Sequence, residues 1–369
     1  MRFPGGRCCS SSFPAWHSGL AAALLVVTTI VCSLIAANSS PGSTTRQAPE
    51  LQDGVDTAVR VIEKRGGVVT RSPDGKVVEV FAVDLGLTDD DLQFVDQFVD
   101  LQVLNLASDP VTDKGVQHLA HCLALADLSF RGTKITDVGL RHLRALRNVK
   151  NIDVGETDVS DSGLETLGRW SKLNALGLED TKITDAGLSH LRGLRNLWAL
   201  SLSGTKITDH GLSQIADCQL YSLSLARTGI KDGGLAWLRS QSRLQILDLQ
   251  GTSISDEGLK ILKTVRTLTY IDLTGTRVSD DGLALLAGID GLESLHLGKT
   301  GVTDRGILHL VNLKKLRSLY LSGTRVTDLC LERIPRPENF LSLVLLDTNV
   351  TDEGIARFKR KYRSVTILH

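Results

Sequence analysis

The chain has 369 residues, with 42 basic and 42 acidic side chains and no net formal charge at neutral pH. That balance excludes the global field of a nucleic-acid binder or an acidic scaffold, so partners have to be argued locally. Aromatic residues make up 4% of the chain and glycine reaches 34 residues, which suits aliphatic rungs joined by tight turns better than a mixed globular core.

The N-terminus comes first. Residues 1–17 carry Arg2 and Arg7 and read as a cytoplasmic n-region. Residues 18–37 are uncharged and cover ~30 Å at helical rise, the thickness of one bilayer core. The segment reads as an uncleaved signal anchor, and the small residues around Ala37-Asn38-Ser39 leave a cleaved signal peptide as the alternative. Either way, the rest of the chain is expected outside the cytoplasm, as a single-pass membrane protein or a secreted or periplasmic one. Residues 38–52 are rich in Ser, Thr and Pro and read as a flexible linker. Residues 53–76 read as an N-terminal cap, an amphipathic helix over 54–65 followed by a hairpin that turns at Pro73-Asp74-Gly75.

From residue 77 to 363 one phrase recurs, as in Ile135-Thr136-Asp137-Val138-Gly139-Leu140. Its aspartates are Asp89, Asp113, Asp137, Asp161, Asp185, Asp209, Asp232, Asp256, Asp280, Asp304, Asp328 and Asp352. Every interval is 24 except the 23 from Asp209 to Asp232, giving twelve units and one single-residue deletion. Within a unit, Leu173-x-x-Leu176-x-Leu178 alternates like a short strand, whereas Leu188-x-x-Leu191-x-x-Leu194 steps like a short α or 3₁₀ helix. One unit cannot bury its own apolar face, but stacked units share a continuous core. Residues 364–369 read as a C-terminal capping strand.

With this pattern, LxxLxLxx[CT]xxITDxGLxxL, the chain resembles the leucine-rich repeat family, and most closely its cysteine-containing subclass with Thr in place of Cys. The resemblance implies an α/β horseshoe solenoid, with a parallel sheet on the concave face and short α or 3₁₀ helices on the convex face. It further implies a non-catalytic scaffold for protein partners. A substrate-adaptor subunit of a ubiquitin-ligase-like complex and a structural envelope component are the alternatives.

Three sets of residues stand out. Thr133, Thr157, Thr181, Thr205, Thr228, Thr252, Thr276, Thr300, Thr324 and Thr348 are expected to form a buried ladder whose hydroxyls satisfy turn backbone groups between adjacent rungs. The recurrent aspartates from Asp113 to Asp352 are expected to N-cap the helix of their own unit. On the concave face, Asp248, Asp272, His296 and Tyr320 follow one another in one column, with Tyr270 alongside, where the middle units carry small residues. That patch is the expected partner-binding surface, while Asp153 reads as an isolated acid.

The six cysteines, Cys8, Cys9, Cys32, Cys122, Cys218 and Cys330, form no CxxC pair and no ligand spacing with histidine. Gly298-Lys299-Thr300 lacks the earlier glycine of a phosphate-binding loop, Glu293 standing there, and no HExxH or nucleophile elbow occurs. No catalytic residue, metal or cofactor is therefore expected, nor is nucleic acid, and the array reads as monomeric.

Overall fold

The computed structural model describes residues 49–334 and 340–369. The expected n-region, the membrane segment and residues 38–48 of the expected linker lie outside the described residues. Among the described residues no helix is long and apolar enough to cross a membrane.

The fold is a leucine-rich repeat solenoid. Among the described residues fourteen strands form one sheet in chain order, and every pairing after the first is parallel. A strand of three residues, as in Asp127–Ser129 or Ala175–Gly177, turns its central side chain inward and the flanking two toward the concave face. The inward residues Leu128, Ile152, Leu176 and Leu200 stack rung on rung, and Leu188 and Leu191 close the core from the helical side. The helices are short because each rung has only a turn or two in which to return, so several units use 3₁₀ geometry, as in Asp232–Ser240.

The N-terminal end is closed by the helix Pro49–Lys64, so residues 49–52 belong to it rather than to the expected linker. Proline at the first helical position has its φ set for a helix and lacks only an N–H that would have no intrahelical acceptor there. Ala58, Val59 and Ile62 of this helix are buried, and Arg65 just beyond it holds Asp91 with both guanidinium nitrogens at 3.0 Å. An antiparallel hairpin follows, Val68–Arg71 with Val77–Phe81, and its second strand is the first rung of the parallel sheet. At the other end Thr366–Leu368 pairs with Ser342–Val344, and the helix Asp352–Lys361 buries Ile355 and Phe358.

The aspartate ladder differs from expectation. The N-cap of the convex helices that open on the recurrent aspartate is the Thr or Ser before it, with Lys231 the exception, as at Thr136, whose hydroxyl accepts the Val138 N–H at 3.1 Å. The aspartate is the first helical residue, and its carboxylate serves the next repeat. Asp113, Asp137, Asp161, Asp185, Asp232, Asp256, Asp280, Asp304 and Asp328 each accept the hydroxyl and the backbone N–H of the Thr or Ser 23 residues ahead. Asp209 takes only the Lys231 N–H, because a lysine stands where a hydroxyl is needed, and Asp352 faces His369. The physical reason is distance: at the first helical position a carboxylate points along the solenoid axis, where the orphan donors of the next helix lie one rung away. This also accounts for the glycine two residues after ten of the twelve aspartates, Asp91 and Cys330 standing there in the other two. A Cβ on Gly139 would stand 2.5 Å from Asp113 Oδ1, which instead accepts the Gly139 N–H at 2.9 Å.

The threonine ladder is corrected in the same way. Each hydroxyl donates to the carbonyl three residues earlier in its own unit, as from Thr133 to Phe130 at 2.6 Å and from Thr205 to Leu202 at 2.5 Å. It closes the turn within a rung instead of linking rungs, because the strand ends there and its carbonyl points back along the chain. Thr228 and Thr348 make the same bond while only half-buried. Where the ladder begins, Asp109 takes the threonine position and accepts the N–H groups of Leu85 and Leu87 from the preceding rung.

The single deletion falls outside both sheet and helices. Leu194 and Leu197 are three apart, but their equivalents Cys218 and Leu220 are two apart, and strand register is undisturbed across Ala199↔Ser222 and Leu200↔Leu223.

Candidate interaction surface

On the concave sheet, chemistry is unevenly spread. The central rungs present Ala175, Gly177, Ala199, Ser201, Ser222 and Ser224, all buried and small. The next rungs present Asp248, Tyr270 with Asp272, His296 and Tyr320, which the parallel register Asp248↔Asp272, Asp272↔His296 and His296↔Tyr320 sets side by side.

The structure brings all five together. His296 and Tyr320 stack with ring centroids 3.8 Å apart and 26° between planes, and Tyr270 tilts against the other side of His296 at 4.9 Å. Asp272 Oδ2 lies 3.3 Å from His296 Nδ1, and the Tyr270 hydroxyl is 3.5 Å from the same nitrogen. Asp248 accepts the Ser224 hydroxyl at 2.7 Å, and Ser224 in turn meets Ser203 at 2.5 Å. The carboxylates and imidazole are buried beneath the surface, with Asp248 1% exposed, Asp272 2% and His296 7%, so the half-buried Tyr270 and Tyr320 are what this patch offers to a partner.

Each carboxylate is also tied to its own turn. Asp248 Oδ1 accepts the Gln250 N–H at 3.0 Å, and Asp272 Oδ1 accepts the Thr274 N–H at 2.8 Å. Asn105 and Asp153, in the same column, do likewise with Ala107 and Gly155. Column acids thus have a local use as turn caps. The pair nevertheless carries an electrostatic cost, because burial, and then the neighbouring Asp272 charge, push the Asp248 carboxyl up to about 6. Burial pushes the Tyr270 phenol well above its ordinary range.

A second network was not legible in the sequence. Asp153 is not isolated: Arg131 reaches Glu179 at 2.6 Å, Glu156 at 2.8 Å and Asp153 at 3.7 Å, and Glu179 accepts the Ser201 hydroxyl at 2.8 Å. Burial raises the Asp153 carboxyl against the pull of Arg131. The signal would have been Arg131 and Glu179, two residues past the column in their own units, lying beside each other once rungs stack. Among the described residues no group of three His, Cys, Asp or Glu side chains is arranged to hold a metal ion. Cys122, Cys218 and Cys330 are buried, and burial pushes their thiols up to about 11, about 11 and about 12.

Residues 242–262 and 266–287 match the family model described as Leucine Rich repeat. An internalin from Listeria monocytogenes has a similar solved structure, with a TM-score of 0.59 and 21% identity over 87% of this chain and 94% of that one. A leucine-rich repeat protein from Leptospira interrogans aligns over 89% of this chain and all of its own, at 15% identity and a TM-score of 0.47. No curated protein matches the sequence. Repeat and sheet together give the described residues the leucine-rich repeat fold, and the family model matches two of the units.

Proposed function

We propose that this chain is a non-catalytic scaffold that holds a protein partner on its concave face and is presented outside the cytoplasm by its N-terminal segment. The observation that carries the binding reading is the contrast along one sheet. Three rungs offer only small buried side chains, and the adjoining four concentrate two tyrosines, a histidine and two carboxylates. Tyrosines on a rigid strand array lose little entropy when they anchor a partner, and interface energy concentrates in such residues. His296 packs against both rings and Asp272 lies against its imidazole, with Asp248 beside Asp272 on the neighbouring rung.

Export rests on sequence. Arg2 and Arg7 precede the uncharged residues 18–37, so this segment anchors or releases residues 53–369 on the far side of a membrane. The scaffold acts as a monomeric array with no nucleic acid and no cofactor. A phosphatase reporter that is active only after export, fused behind His369, should be active in intact cells. Strong activity of a cytoplasmic reporter at the same junction would contradict the export half of the proposal.

A further inference from the structure

The one-residue deletion opens a cleft at the edge of the sheet. In full-length units the turn before the strand closes on itself, as where Leu197 N–H donates to Leu194 O at 3.1 Å. Between Cys218 and Leu220 the turn is one residue short, and Leu220 N–H donates instead to the side-chain oxygen of buried Gln241, at 3.1 Å. Gln219 is drawn toward the following unit, where its amide meets Ser240 O and the Ser242 hydroxyl. In the space left lies a cleft of about 450 Å³.

Its lining has a definite chemistry. Trp198 and Tyr221 meet edge to face with centroids 6.1 Å apart, and Arg195 and Arg243 flank them from the rungs on either side of the deletion. No acid lines the cleft. Arg192 is near Asp217, at 3.9 Å, but the guanidinium groups of Arg195 and Arg243 make neither a hydrogen bond nor an ion pair among the described residues. Guanidinium forks hold carboxylates in two-point contact, and an aromatic floor between them takes an apolar side chain. The two arginines stand two rungs apart, ~10 Å, within reach of carboxylates two or three residues apart on an extended chain.

We infer that the deletion cleft formed by Arg195, Trp198, Tyr221 and Arg243 binds an acidic peptide segment with an apolar residue between its carboxylates, separately from the concave patch. A sulfated glycan would use the charges but has no apolar side chain to place on the Trp198–Tyr221 floor.

The test uses the full chain and two blocked peptides, Glu-Glu-Phe-Glu-Glu-Gly and its counterpart with Gln for every Glu, followed by calorimetry. The Glu peptide should bind at least about tenfold more tightly than the Gln peptide. Arg195→Gln and Arg243→Gln, both at exposed positions, should each weaken it about tenfold. Inserting one alanine after Gln219 restores the repeat length and should abolish binding. Because that insertion risks the fold, the single arginine variants decide the matter with unfolding midpoints equal to the parent. Equal affinity for the two peptides, or unchanged binding in both arginine variants, would overturn the inference. So would tighter binding of heparin that displaces the Glu peptide and survives Trp198→Ala.

Discussion

Asp113 caps a helix to which it does not belong: its two carboxylate oxygens take the N–H and the hydroxyl of Thr136, at 2.8 and 2.7 Å, in the following repeat. The bond pair recurs along the solenoid, so neighbouring units are joined on the convex side by charge-assisted hydrogen bonds as well as by the sheet and core.

Removing one such joint should be costly and should couple to its glycine. Asp113→Ala should destabilise the chain by about 2 to 3 kcal/mol in urea unfolding, since a helix loses its cap donors' partner. Gly139→Ala should also destabilise, because its Cβ meets the Asp113 carboxylate. In the double variant that clash is gone, so the combined loss should fall short of the sum by about 1 kcal/mol or more. Strict additivity would show that the carboxylate is not what excludes a side chain at Gly139.

Thr205→Val should cost about 1 kcal/mol. The lost hydroxyl bond to Leu202 O is short, but that carbonyl keeps the Thr205 N–H, so it is not stranded. Urea titration of the variant reads this directly, and a loss above about 3 kcal/mol would mean that the hydroxyl supports more than its own turn.

Asp248 gives a pH signature. Its carboxyl titrates at about 6 in the folded chain against an ordinary 3.8, so the folded state holds the proton more tightly. The stability linked to that proton is present below about pH 4 and lost as pH rises through 6. Asp248→Asn should therefore match the parent near pH 4 and exceed it by roughly 1 to 3 kcal/mol at pH 7.5. Parallel stability curves for the two proteins between those values would contradict the buried-pair account.

Much of this architecture could be read from the chain itself. The 24-residue period gave strand, turn and helix in each unit, because which positions repeat is a property of one dimension. Which neighbour a repeated residue serves is not. Asp113 and Thr136 are 23 residues apart, and nothing in the spacing says whether the carboxylate turns to its own helix or to the next. Asp153 read as isolated for the same reason, since Arg131 and Glu179 reach it only across stacked rungs. The five concave residues were legible as neighbours, whereas the burial of Asp248 and Asp272 beneath the tyrosines depends on curvature and packing that alternation does not encode.

The measurement closest to the central claim is quantitative affinity capture with the full chain, run beside Tyr320→Ala and Ser129→Ala. Tyr320 stacks on His296 at the heart of the patch, and Ser129 lies on the same concave face several rungs away. Proteins enriched by the parent should be retained by Ser129→Ala and lost by Tyr320→Ala, with calorimetry on the purified partner showing a loss of about 1 to 2 kcal/mol or more for Tyr320→Ala. Retention of the same partner at the same affinity by Tyr320→Ala would contradict recognition through this surface.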